Sequence, residues 1–232
     1  MQQPTLLELL QSGVHFGHQD SRWHPKMKPY IFATRNGIHI IDLEKTQAKL
    51  NEATSFIQKL VSTGGVLLFV GTKKQGKGLV KAAAESCGMP YVVERWLGGI
   101  FTNFANINRL VKKYLGLIDQ QNSGALAKYT KKEQSQFQKE IKKLQTFLSG
   151  LTTLNKLPQA VFILDLKKDK TALNEARKKK IPVIAICDTN VNPDLVDYPI
   201  PANDDAVKAI ALITNYLALA VNEGKQIAEK KA

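Results

Sequence analysis

Residues 66–71 read Val-Leu-Leu-Phe-Val-Gly, an unbroken apolar run bounded by Gly64-Gly65 on one side and Gly71 on the other. This is the pattern of a strand buried on both faces. The run feeds Gly71-Thr72-Lys73-Lys74-Gln75-Gly76-Lys77-Gly78, and residues 77–86 then read as a short helix. A buried strand, a glycine-rich turn and a helix in direct succession commit the chain to α/β architecture with a mostly parallel sheet. The turn also nearly spells the nucleotide phosphate loop Gly-x-x-x-x-Gly-Lys-Ser/Thr. Its last position is Gly78, where that loop needs a hydroxyl for Mg²⁺. No later strand supplies an unambiguous second acid; Leu164-Asp165 and Cys187-Asp188 are the nearest. Lys73, Lys74 and Lys77 nevertheless gather at the carboxyl end of a strand, where open α/β sheets bind ligands. A basic glycine-rich loop approached by a phosphate backbone fits these residues better than a nucleotide site.

The strand–helix alternation continues along the chain. Strands are expected at 91–93, 160–166 and 183–187, and helices at 44–62, 171–180 and 206–221. Near the start, Thr5 and Glu8 form a capping box for a helix over 5–12 that Gly13 ends. Residues 30–33 and 38–42 flank Thr34-Arg35-Asn36-Gly37, a type I′ hairpin signal. Between them, residues 14–26 read as a loop rich in histidine and aromatics. One segment breaks the rhythm. Phe104, Ile107, Val111, Tyr114 and Ile118 step by three and four, as do Phe137, Ile141, Leu144, Leu148 and Leu151. Two heptad seams separated by the polar stretch 120–132 predict an antiparallel coiled-coil hairpin inserted into the α/β domain. The expected division is 1–100 and 155–232 for the α/β domain and 101–154 for a protruding helical hairpin.

The 232 residues carry a formal charge of +13, a statement about partners rather than fold, and a polyanion is the natural partner. A merely solvated basic surface is the plainer alternative. Cys87 and Cys187 each border an apolar run and are expected to be buried, reduced thiols. No signal peptide and no membrane-spanning apolar run is read, so the chain is expected inside the cell.

Two clusters invite metal chemistry. His15, His18 and His24 stand close enough in sequence to converge on zinc, though their spacing matches no standard site. Asp188 follows a strand, while Asp204 and Asp205 precede the last helix, and three carboxylates there would suit a structural divalent ion. Alternatively Asn203 or Asp204 caps that helix and Asp205 complements its dipole. No nucleophile–base set has a recognisable context, so neither catalysis nor a required cofactor or small-molecule substrate is expected.

Several blocks taken together resemble one family. They are Gly13-Val14-His15-Phe16-Gly17-His18 with Trp23-x-Pro25-Lys26-Met27, then Arg35-Asn36-Gly37-Ile38-His39-Ile40-Ile41-Asp42-Leu43, then Phe69-Val70-Gly71-Thr72-Lys73. The most specific is Arg95-Trp96-Leu97-Gly98-Gly99-x-x-Thr102-Asn103-Phe104. The last is Ala185-x-Cys187-Asp188-Thr189-Asn190-x-x-Pro193, continued by Pro199-Ile200-Pro201-x-Asn203-Asp204-Asp205-Ala206. In this order they resemble the bacterial-type ribosomal small-subunit protein two family across residues 5–222. The resemblance implies a flavodoxin/Rossmann-like α/β domain with helices on both faces and a coiled-coil hairpin. It also implies a structural role in the small ribosomal subunit, contacts with its RNA and neighbouring ribosomal proteins, and help in recruiting the first small-subunit protein. A cytoplasmic, ribosome-bound location would follow, an organellar ribosome being the alternative. The residues expected to face RNA are Arg22, Lys26, Lys73, Lys74, Lys77, Arg95 and Trp96, with a place in the core the equal alternative for Trp96.

Overall fold

The computed structural model describes residues 4–230; the outermost ends of the expected α/β domain, 1–3 and 231–232, lie outside them. The elements run α1 (Leu6–Gln11), β1 (Phe16–Gln19), β2 (Ile31–Arg35), β3 (Ile38–Ile41), α2 (Leu43–Ser62), β4 (Leu67–Val70) and α3 (Lys77–Ser86). Then follow β5 (Tyr91–Val92), α4 (Phe104–Asn122), α5 (Lys131–Leu148), β6 (Ala160–Ile163), α6 (Lys170–Lys178), β7 (Val183–Cys187), β8 (Tyr198–Pro201) and α7 (Val207–Glu229). Five parallel strands lie in the order β5-β4-β6-β7-β8. Counted within that sheet the order is 2-1-3-4-5, the flavodoxin-like doubly wound arrangement.

Alternation along the central strands divides the core. Leu67, Phe69, Phe162, Ile184 and Ile186 face a layer formed by α2, α3 and α7. Leu68, Val70, Val161, Ile163 and Ala185 face the other layer, which holds α6 and the inner residues of α4 and α5. Both sheet faces are therefore covered, which explains why these strands read as continuous apolar runs. Helices α4 and α5 pair antiparallel, with Lys113 bonded to Glu140 at 2.5 Å. Ile107, Val111, Tyr114, Ile141 and Leu148 of the two seams are buried in the same cluster as the sheet residues. The connection is not wholly polar: a 3₁₀ turn at Ala125–Lys128 buries Leu126.

Two strands escape the sequence pattern. The His-rich stretch is not all loop, because β1 pairs antiparallel with β3 and completes a small sheet, β1-β3-β2. Strand β1 is only four residues long and contains Gly17, so no alternation announces it. Strand β8 reads Tyr-Pro-Ile-Pro. Its prolines mask it, and they are tolerated because β8 is an edge strand. The predicted hairpin turn is present, with Asn36 and Gly37 both at positive φ (52° and 73°). Thr5 and Glu8 make the full capping box, and both cysteines are free and buried.

Candidate nucleic-acid interface

The loop after β4 is held from inside. Thr72 donates through its hydroxyl to Asp169 at 2.9 Å and through its N–H to the same carboxylate at 3.3 Å. Its carbonyl accepts from Lys168 Nζ at 2.8 Å. A side chain on Gly71 would lie 2.7 Å from Val80, and one on Gly76 would collide with Leu164. Both glycines thus serve close helix–sheet packing, which corrects their reading as backbone opened for phosphate. Gly78 has open space around it.

Lys73 turns inward, its side chain 12% exposed, and meets Asp205 at 2.7 Å, Asp204 at 2.8 Å and Asp165 at 3.6 Å. Burial alone would lower the pKa of its ammonium, but hydrogen bonds to Asp204 and Asp205 outweigh burial and raise it. Strands β4 and β6 flank the point where this sheet's strand order reverses, the usual ligand crevice of such a fold. Here the protein's own Lys73, Asp165 and Asp169 fill it. Asp165 also accepts the backbone N–H groups of Lys167 and Lys168, at 2.8 and 2.9 Å. Lys73 is therefore an internal counter-ion rather than an RNA-facing residue.

Beside it lies the expected metal cluster, in altered form. Asp188 is 1% exposed and takes His18 Nδ1 at 3.0 Å. Asp188 also accepts the N–H of Thr189 at 2.5 Å and that of Asp204 at 3.3 Å. His18, Asp188 and Asp204 bring three ligand atoms within 4.8 Å of one another. Asp205 is half exposed and divides its carboxylate between Lys73 and His18 Nε2, the latter at 3.6 Å. Burial, then the neighbouring Asp188, pushes Asp204 up to about 6, against the pull of Lys73. The hydrogen bond to Asp188 raises His18. The three histidines do not assemble as a zinc site. His15 packs against Phe16 with ring centroids 4.0 Å apart and the rings tilted by 39°, and His24 accepts the N–H of Lys26 at 3.2 Å. Asn203 caps the turn before α7, accepting from Asp205 and Ala206 at 2.8 and 3.1 Å, while Asp204 points into the cluster.

Two distant sequence blocks meet here. A side chain on Gly17 would stand 2.6 Å from Thr189, and the His18 N–H donates to Thr189 Oγ1 at 2.9 Å across 171 residues of sequence.

The block Arg95–Phe104 has a different explanation. Trp96 is buried, edge-on to Phe101 at 4.9 Å, so its ring is not free to stack on a base. Its Nε1 donates to Glu175 at 3.2 Å. The same carboxylate accepts the N–H groups of Gly99 (2.7 Å), Phe101 (3.0 Å) and Thr102 (3.1 Å), and the Thr102 hydroxyl (3.1 Å). Burial alone would raise the Glu175 pKa; the bonds from Gly99 and Thr102, with those from Trp96 and Phe101, override it and lower it. Charge counting along a Lys/Arg-rich helix conceals Glu175. Its register with Ala172 and Ala176, both buried, is the signal that would have found it.

Of the remaining candidates, Arg22, Lys74 and Arg95 are exposed. Lys26 pairs with Asp194 at 3.1 Å and Lys77 with Glu94 at 2.9 Å, all four side chains open to solvent. Exposed pairs of this kind exchange readily with other anions. Among the described residues no helix is long and apolar enough to cross a membrane.

Comparison with known proteins accounts for these convergences. A family model described as Ribosomal protein S2 matches residues 9–224. The chain is 50% identical over 222 residues to the small ribosomal subunit protein uS2 of Coprothermobacter proteolyticus, covering 96% of this chain and 83% of that protein. This chain belongs to the ribosomal protein S2 family.

Proposed function

We propose that this protein is a non-catalytic structural constituent of the small ribosomal subunit in translation. The observation that carries the reading is the family match across residues 9–224. In this reading Arg22, Lys26, Lys74, Lys77 and Arg95 meet the phosphates of small-subunit RNA, with shape rather than base sequence setting the site. The net charge of +13 supports a polyanionic partner. The helical pair within 101–154 supplies a further basic arm.

Neighbouring ribosomal proteins are the second partner class. A groove of about 530 Å³ is lined by Leu6, Leu7, Leu10, Phe32 and Ile40. Phe32 is 77% exposed and Leu7 61%, and contiguous apolar surface of this kind marks protein contacts. Help in recruiting the first small-subunit protein belongs to this surface, on a cytoplasmic ribosome. The deciding experiment is co-sedimentation with small subunits, followed by a salt titration. Association should weaken steeply as salt rises, and a flat response overturns the reading.

His18, Asp188 and Asp204 favour one subordinate reading, a structural divalent ion held by one imidazole and two carboxylates. Metal analysis of purified protein should find a stoichiometric ion that Asp188→Asn loses. Metal-free wild-type protein overturns it.

A further inference from the structure

The surface of α6 differs from what its sequence suggests. Between residues 160 and 180 the acids are Asp165, Asp169 and Glu175, and all three are buried. Asp169 is spent on Thr72 and Glu175 on the Trp96–Thr102 segment. The cations are all outside: Lys167, Lys168 and Lys170 at one end of the helix, and Arg177 onward at the other. A stretch of mixed charge in sequence thus exposes only cations among its own ionisable residues, Asp194 and Asp197 of a neighbouring segment sharing a groove with Arg177 and Lys180 at the far end. Lys168 reaches the carbonyl of Thr72. No ion pair engages the others among the described residues.

Helix stability does not account for the pattern. Arg177 and Lys178 suit the negative end of the helix dipole, but Lys167, Lys168 and Lys170 crowd the positive end, where cations are unfavourable. The exposed helical positions are Lys170, Thr171, Asn174, Arg177 and Lys178, spaced three and four apart on one side. That side has no exposed aliphatic or aromatic residue. A protein partner needs a desolvated apolar centre, whereas a phosphate backbone needs cations and hydrogen-bond donors. The stripe also joins two residues already placed toward RNA. Lys74 sits in the loop clamped by Lys168 and Asp169, and Arg95 precedes the Trp96 held by Glu175.

We infer that the outer face of α6, from Lys167 through Lys170 and Asn174 to Arg177 and Lys178, is an RNA-phosphate docking surface. The inference rests on the ribosomal reading above and assigns its main contact to a helix, flanked by Lys74 and Arg95.

The test uses the full chain and an in-vitro transcript of a bacterial small-subunit ribosomal RNA, with affinity measured against salt. The triple variant K167Q/K170Q/R177Q should keep its urea midpoint and bind about tenfold or more weakly. Its salt slope should fall by about 2, near 0.7 to 0.9 for each phosphate that is no longer neutralised. K167R/K170R/R177K, which keeps every charge, should bind like wild type. The control K59Q/K81Q/K208Q removes the same charge from exposed positions on α2, α3 and α7, against the opposite face of the sheet, and should retain the wild-type slope. Equal loss of affinity in both glutamine triples shows a net-charge effect and overturns the inference. An unchanged slope in the α6 triple overturns it while leaving the ribosomal reading intact. If wild-type protein fails to bind the transcript, the docking inference falls, while co-sedimentation with small subunits decides the ribosomal reading separately. Preference of this face for polyglutamate over the transcript assigns it to an acidic protein and overturns the RNA proposal.

Discussion

Glu175 shows how much one side chain can organise. Its carboxylate accepts five hydrogen bonds from the 96–102 segment, and charge-assisted bonds to a buried acceptor are among the stronger polar contacts. Replacing it by Gln leaves the shape but removes the charge and turns one acceptor into a donor facing donors. Glu175→Gln should cost about 3 kcal/mol of stability in urea unfolding at pH 7. The carboxylate's folded pKa lies below its ordinary 4.5, so its stabilisation is complete above that value and is lost as pH falls through the lower, folded one. The gap between wild type and Glu175→Gln should therefore narrow below about pH 4.5, and a gap constant down to pH 3 contradicts the assignment. Lys73 plays the converse part. Lys73→Met leaves Asp165 and Asp204 buried without their cation and should cost about 3 kcal/mol in the same assay. These two residues also explain why the sequence misleads at this scale. Residue type announces charge but not which way a side chain points, so a lysine in a basic loop and a tryptophan beside an arginine both looked like RNA contacts.

At the scale of elements, the strand–turn–helix at 66–86 is the clearest case. Strand β4 and helix α3 lie where the apolar run and the glycines put them, α3 at the predicted residues. The turn between them resembles a phosphate loop in spacing only. Gly76 is required by Leu164 and Ile210, Lys77 is paired with Glu94, and the crevice is filled by Lys73. Gly78→Ser completes the nucleotide-loop sequence at a position with open space, so stability should change by less than about 0.5 kcal/mol. Calorimetric titration should still find no binding of ATP with Mg²⁺. Gly76→Ala, two residues away, should cost about 2 kcal/mol through overpacking. Long periodic elements such as α2, α4, α5 and α7 were legible because many residues repeat the same signal. Strands β1 and β8 were not, because four residues carrying glycine or proline hold too little pattern.

For the whole molecule, the two sheets are joined through a few contacts at the end of β7. Thr189 accepts the His18 N–H, the carbonyl of Thr189 takes the His24 N–H at 2.7 Å, and Asn203 donates to Val14 at 3.0 Å. Thr189→Val removes the first of these links without changing size. Hydrogen exchange should then quicken for amides of residues 14–41 while β6 and β7 remain protected; uniform change across both sheets contradicts the coupling. The sequence by itself determined the α/β class, the helical pair, the buried cysteines and the family, because periodicity, turn chemistry and ordered motifs are local and additive along the chain. Only the tertiary structure decided which charges face solvent. Asp165, Asp169 and Glu175 go inside because N–H groups, hydroxyls and an ammonium from distant segments satisfy them, and Lys73 goes with them. Burial of those acids leaves α6 with no exposed acid of its own on its outer face, a consequence of folding that no count along the chain reveals.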